Sequence, residues 1–265
     1  MCRLAAYLGE PLCLAELVAT PRHSLLRQAQ HAEQAQVAVH GDGFGIGWYG
    51  AGPDPSVYRQ AQPAWHDDRL LALAQTVRSH LFFAHVRAAT SGAPSRRNCH
   101  PFRHGRHLFM HNGQIGGWSA LRHTLQTWLP ADLQAARRGA TDSEWLFMMV
   151  IARLRDGLAQ AEAVVSVLHD VQALMEDRGI AEPLRFAAVL SDGKRLHAFR
   201  LASDAHPPSL YLRRCARGTL LASEPLCDGG PASRWQALPA GAVVTLDAKG
   251  CDIATAALAP PETVI

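Results

Sequence analysis

Two consecutive helix patterns in a chain that otherwise reads as strands constrain this fold most. Residues 141–154, TDSEWLFMMVIARL, open with Thr141 and Glu144 at capping-box spacing and continue apolar. Residues 160–177 repeat the helical period and stop at Gly179. Before this pair, residues 3–8, 81–90 and 107–115 are apolar, aromatic or β-branched and predict strands. GDGFGIGWYG (41–50) predicts a turn and then a Gly-rich strand. After the pair, LRFAAVLSDGKRLHAFRL (184–201) predicts two strands around a Ser-Asp-Gly turn, with more near 209–213, 218–223 and 242–247. Shorter helices are predicted at 13–19, 24–34 and 119–129, the last with Ser119 as N-cap. Strands, a helix pair and strands again is not a βαβ alternation. It predicts antiparallel sheets with helices packed outside, an α+β layered fold.

Composition removes several classes. With 48% hydrophobic and 18% charged residues the chain is not disordered. No apolar run approaches the roughly 18 residues that span a bilayer, so no membrane role is expected. The N-terminal apolar stretch is interrupted by Glu10 and Pro11, too early for a secretory signal. A net charge of +3 from 26 basic and 23 acidic residues implies no nucleic-acid partner. The six cysteines contain no CxxC pair, which predicts reduced thiols in a cytoplasmic protein. Cys13, Cys99, Cys215, Cys227 and Cys251 read as structural. There is no repeat or low-complexity linker, and GAGPDPS (50–56) reads as a turn cluster. One domain over residues 1–265 is therefore expected.

Four places can carry chemistry. Removal of Met1 would leave Cys2 with a free α-amine of pKa about 7.7–8.0, a base for its own thiol. HNG at 111–113 is either a tight Asn-Gly turn or an oxyanion hole made by the Asn112 amide and the Gly113 N–H. Arg87, inside the apolar run AHVRAAT, either ends the strand in solvent or beside a structural carboxylate, or binds a substrate carboxylate. Asp142 either serves a helix N-terminus or binds a cationic substrate group. Together they describe a site for an α-amino acid with an acyl side chain.

The other features have plainer readings. His100, His104, His107 and His111 have spacings that invite a metal reading. Pro101 and Gly105 break the run, and His107 and His111 on one strand would stand about 13 Å apart. No metal and no cofactor are expected. Gly43, Gly45 and Gly47 spell GxGxG and open no helix, so they predict close backbone packing near the site and no dinucleotide. Trp118, Trp128 and Trp145 read as core.

The sequence resembles the class II glutamine amidotransferases of the N-terminal-nucleophile hydrolase superfamily. The matching pieces are MCR (1–3), GDGFGIGWY (41–49), AHVRAAT (84–90), NCHPF (98–102), HNG (111–113) and TDSE (141–144), in family order. MCRLAAYLGEP, PRHSLLRQA (21–29) and ASEPL (222–226) resemble the small stand-alone members, including ergothioneine-pathway γ-glutamyl hydrolases. The resemblance implies a four-layer αββα sandwich, two antiparallel sheets between helices. It implies Cys2 as nucleophile forming a γ-glutamyl thioester, Asn112 and Gly113 as the oxyanion hole, and Arg87 and Asp142 on the glutamyl carboxylate and ammonium. Thr90 falls near the carboxylate. Ala88 and Ser91 depart from the large synthases, which carry an aromatic residue and a histidine there; the change implies a wider acyl site. The implied substrate is a small γ-glutamyl amide. A conjugate substrate needs no partner protein, whereas a glutaminase needs a separate ammonia-using synthase. A glutamyl-binding protein without turnover is the non-enzymatic alternative.

Overall fold

The computed structural model describes residues 2–35, 37–89, 94–226 and 234–258. In chain order its elements are β1 (Arg3–Cys13), α1 (Ala15–Val18), α2 (Leu25–Gln30), β2 (Phe44–Tyr49), β3 (Pro55–Gln60), α3 (Asp68–Thr76), β4 (Arg78–Val86), β5 (Phe102–His104) and β6 (His107–Gln114). Then follow α4 (Trp118–Thr127), α5 (Ala131–Ala136), α6 (Asp142–Arg155), α7 (Gln160–Asp177), β7 (Arg185–Ser191), β8 (Leu196–Ala202), β9 (Tyr211–Cys215), β10 (Gly218–Ala222), β11 (Gln236–Ala237), β12 (Ala242–Asp247) and β13 (Gly250–Thr255).

The strands form two antiparallel sheets. Sheet one has the order β11-β9-β10-β1-β4-β2-β3 and sheet two β13-β12-β8-β7-β6-β5. The central strands β1, β4, β6 and β7 are buried on both faces, which is why they read as nearly continuous apolar runs. Alternate residues serve different cores. Leu4, Ala6, Leu81, Phe83, Leu108, Met110 and Val189 fill the space between the sheets. Ala5, Tyr7, Phe82 and Ala84 face α1, α2 and α3. Phe109, Phe186, Ala188 and Leu190 face the layer of α4–α7. Helices outside two packed sheets give the expected αββα order, and each fully buried Leu or Phe contributes about 1.5–3 kcal/mol to it.

Helix α6 is buried from Ser143 to Ala152, because sheet two lies on one side and α4, α5 and α7 on the others. That all-round burial explains its unbroken apolar stretch. Helix α7 ends at Asp177, with Gly179 left-handed at φ 61°. No described helix is long and apolar enough to cross a membrane.

The predicted strand 3–8 continues to Cys13 through an irregularity between Leu8 and Leu12, so the predicted helix 13–19 shrinks to α1. The helix predicted at 24–34 stops at Gln30, after a true Ser24 cap on Arg27 N. Ser119 caps nothing, since α4 begins at Trp118 after Gly117, whose φ of 61° suits glycine.

Candidate active site

Strand alternation decides what faces the gap between the sheets. Continuing the two-residue period from Leu4, from Leu81 and Phe83, and from Leu108 and Met110 puts Cys2, His85, Arg87 and Asn112 on that inner side. Arg3 pairs with Val86, so Cys2 lies beside Arg87 at the edge of the ladder. The Cys2 thiol donates to the Ala88 carbonyl at 3.7 Å. Strand β6 touches β1 and β4 across the gap, and the His111 backbone lies beside His85, which brings Asn112 toward the same end.

Two glycines make that approach tight. A Cβ on Gly45 would stand 2.1 Å from the His100 carbonyl oxygen, and one on Gly47 would stand 2.8 Å from Pro101 Cγ. The chain at 99–102 therefore wedges against β2, the close packing the glycine spacing predicted.

Asn112 and Gly113 lie within β6, paired with Ala187 and Phe186, so the turn reading of HNG is overturned. The ladder needs extended backbone at both residues, and a Cβ on Gly113 would meet the Arg185 carbonyl oxygen at 1.9 Å. The Asn112 side chain is wholly buried, and neither its Nδ2 nor its Oδ1 has a hydrogen-bond partner. Leaving such an amide unpaired costs roughly 1–3 kcal/mol.

Arg87 is buried, which excludes the solvent-facing reading, and its Nη1 has no partner. Its backbone is fixed instead. Arg87 N donates to Gly43 O at 2.8 Å, its carbonyl accepts from Asp42 N at 3.1 Å, and Ala89 N donates to Asp42 Oδ2 at 2.8 Å. Thr90 lies outside the described residues, as do Ser91 and Cys227.

Asp142 is the first residue of α6. Its Oδ2 accepts from Ile115 N at 2.9 Å and its Oδ1 from Ser143 N at 2.7 Å. The carboxylate thus ties the helix N-terminus to the end of β6, a structural job that still leaves lone pairs for a cation. Thr141 caps Glu144 N at 3.2 Å, but the expected reciprocal bond is absent. Glu144 turns its carboxylate to Arg138 N and Gly139 N at 2.9 and 2.6 Å, holding the loop before the helix.

Three imidazoles surround this end. His85 and His100 pack at a tilt of 39° with centroids 4.3 Å apart; neither His100 ring nitrogen has a hydrogen-bond partner, and His85 approaches only the His111 backbone. His111 points the other way, to Ser143 Oγ at 2.9 Å and Arg185 O at 3.3 Å. Burial pushes His85 down to about 3 and His100 well below the ordinary histidine range. Burial also lowers His111, with Asp142 opposing. All three are neutral near pH 7 and add no positive charge near Cys2, whereas Arg87 and Arg3 do. Burial raises the Cys2 thiol, and the Ala88 backbone, Arg87 and Arg3 oppose that rise without cancelling it. Among the described residues no imidazole hydrogen-bonds to Cys2, so a Cys–His pair is not what the thiol has for a base.

The suspected histidine metal run does not converge. His100 faces His85, His104 and His107 pair across the β5–β6 turn, and His111 faces α6. Among the described residues, ligand atoms close enough to share an ion occur in His23, Glu33 and Glu224, where Glu224 already pairs with Arg3. Sequence reasoning missed Asp42, Glu224 and Arg3. The last had a signal, a charged residue opening an apolar strand, the same anomaly that singled out Arg87.

The family model described as glutamine amidotransferases class-II matches residues 23–214. A γ-glutamyl-hercynylcysteine sulfoxide hydrolase of Mycobacterium tuberculosis (strain CDC 1551 / Oshkosh) is 30% identical over 94% of each chain. A probable glutamine amidotransferase of Saccharomyces cerevisiae, DUG3, is 33% identical over 58% of this chain, spanning 46% of its own length. Among solved structures, a glutamine aminotransferase class-II domain protein from Silicibacter pomeroyi superposes with a TM-score of 0.76. It is 32% identical, over 97% of this chain and 100% of that one. The glutamine phosphoribosylpyrophosphate amidotransferase of B. subtilis shares the fold at a TM-score of 0.64 and 14% identity, over 96% of this chain and 49% of its own.

Proposed function

Since the chain belongs to the class II glutamine amidotransferase family, we propose that it cleaves a γ-glutamyl amide through Cys2 as an N-terminal nucleophile. In this reading residues 1–265 act as one domain in the cytoplasm. Removal of Met1 frees the Cys2 α-amine, which takes the thiol proton. A base supplied by the same residue suits a thiol that burial raises and no imidazole bonds.

The thiolate attacks the γ-carbonyl carbon. The oxyanion that forms accepts from Asn112 Nδ2 and the Gly113 N–H. The C–N bond breaks, the departing nitrogen takes the proton from the α-ammonium, and a γ-glutamyl thioester remains on Cys2. Water, losing its proton to the α-amine, attacks the thioester; the C–S bond breaks, glutamate leaves, and the α-ammonium returns the proton to the Cys2 thiolate. Arg87 pairs with the substrate α-carboxylate and Asp142 with its α-ammonium, with Thr90 near the carboxylate. The observation that carries the reading is Asn112, a buried amide without a protein partner on the same inner side as Cys2 and Arg87.

The leaving group in this proposal is an amine or amide-linked conjugate larger than ammonia. Alignment along 94% of both chains with a hydrolase named for a γ-glutamyl conjugate supports it, as does the small Ala88 beside the thiol. Release of ammonia from glutamine is the second reading, and it brings in a separate ammonia-using synthase.

Intact mass before and after a glutamine-like diazoketone tests the mechanism. Loss of Met1 and one adduct mapped to Cys2 are expected, and Cys2→Ala abolishes both adduct and turnover. Retention of Met1 with no adduct marks an unprocessed precursor, and no adduct after Met1 has been removed overturns the mechanism in favour of silent glutamyl binding. Product analysis then compares glutamine with γ-glutamyl thioethers; faster turnover of free glutamine overturns the conjugate reading.

A further inference from the structure

Two sequence stretches without a role in the chemistry, PRHSLLRQA and ASEPL, meet in the fold. Glu224 continues β10 beyond Ala222 and comes opposite Arg3, on the face of sheet one that looks toward α1 and α2. Its side chain is 1% exposed, yet both oxygens are engaged. Oε1 accepts from Glu33 N at 2.9 Å and contacts His23 Nε2. Oε2 accepts from Gln34 N at 3.1 Å and from Arg3 Nη1 at 3.4 Å. The Glu224 carbonyl accepts from Gln28 Nε2 at 3.2 Å. Next to it, Ser223 extends the ladder, its N donating to Leu4 O at 2.9 Å and its Oγ accepting from Leu4 N at 3.0 Å.

Arg3 passes this order to the nucleophile. It is wholly buried, and its Nε donates to the Cys2 carbonyl at 2.8 Å while Nη1 also reaches Gln34 O at 3.4 Å. A residue that must present a free α-amine has no chain on its N-terminal side to hold it. Strand β1 begins only at Arg3, so the Cys2 carbonyl is the main-chain handle that remains. A guanidinium is a rigid planar fork, so anchoring Nη1 on Glu224 also sets where Nε points.

We propose that Glu224 is a positioning residue for Cys2. Through Arg3 it fixes the Cys2 carbonyl, and thereby the direction of the α-amine and the thiol. The proposal rests on the N-terminal-nucleophile reading above. Glu224 touches no glutamyl group in that reading, so it acts on the reaction step and not on glutamyl recognition.

The concentration dependence of inactivation by the diazoketone separates its KI from the rate of covalent capture. Glu224→Gln keeps the shape and removes the charge. Its capture rate is expected to fall about 10- to 100-fold, as for an ångström-scale misplacement of a reacting group, with KI within about twofold. Arg3→Lys loses the fork and should give the same pattern, and the double variant should be no slower than the slower single one. A capture rate equal to wild type in folded Glu224→Gln overturns the proposal, and so does a KI that rises in step with the lost rate. If Glu224→Gln does not fold, Arg3→Lys decides alone, since it leaves Glu224 its contacts with Glu33, Gln34 and His23. No adduct on the wild-type protein after Met1 has been removed overturns both readings. An adduct formed equally fast on wild type and variants overturns the positioning role alone.

Discussion

The two sides of sheet one treat buried polarity in opposite ways near Cys2. On the outer side every buried polar side chain around Glu224 is held by at least one polar contact, even where Arg3 Nη2 and Gln28 Oε1 lack partners of their own. On the inner side Asn112 and His100 are held by none, and His85 only by a weak approach to the His111 backbone. Both sides pay to bury dipoles and charge, but only the outer side recovers that cost within the protein. The difference separates scaffold from site. A held group fixes a neighbour's position, whereas an unheld one keeps its hydrogen-bonding capacity for something that arrives.

The sharpest way to break this contrast is Asn112→Leu. Loss of the proposed oxyanion donor should lower kcat about 10²- to 10³-fold. Calorimetry should show an unfolding temperature equal to or above wild type, because no protein hydrogen bond is lost and an unpaired amide disappears. A clearly lower unfolding temperature would mean the amide is held after all. Arg87→Lys comes next. It keeps the charge and loses the fork, and steady-state kinetics should give a KM about 10- to 100-fold higher, with kcat much less affected. A change confined to kcat would take Arg87 off the substrate carboxylate.

The smallest effects are in pH. His85 has a folded pKa near 3 against an ordinary 6.5, so the unfolded chain binds a proton that the folded chain refuses. Its contribution is complete above pH 6.5 and is lost as pH falls, at about 1.4 kcal/mol per unit. Chemical unfolding between pH 7 and 5 should therefore show a shallower acid slope for His85→Phe. The outer side should lose stability later. Burial raises the Glu224 carboxyl, but Glu33 N, His23 and Gln34 N outweigh it and leave the group below its ordinary 4.5. Its contribution persists above that value and fades as pH falls through it, so the stability gap between wild type and Glu224→Gln should narrow only there. Parallel acid slopes for both variants would erase the distinction between the sides.

The sequence made the core strands and long helices legible because burial on both faces leaves an apolar run. It also carried the faces: once β1, β4 and β6 are strands, period two alone puts Cys2, Arg87 and Asn112 on one side. Elements with mixed patterns were not legible. Strand β3 contains Tyr58, Arg59 and Gln60 at a sheet edge, and α3 shows only Leu70 and Ala74 to the core. HNG looked like a turn because Asn-Gly favours one locally, and pairing with β7 overrides that preference. Glu224 was invisible as a hub because its donors, from Arg3 to Gln34, lie about 190 to 221 residues away. No local pattern encodes such a meeting.

Gly45 and Gly47 have a consequence for how enzymes of this shape diversify. With the His100 carbonyl and Pro101 filling the space that their side chains would take, neither position of β2 can gain a side chain without displacing the chain at 99–102. That contact between β2 and residues 99–102 is therefore a fixed mould. Variation in what is cleaved has to be sought away from these two positions. A library for new leaving groups should therefore spare both glycines, since side chains there would return mostly misfolded protein.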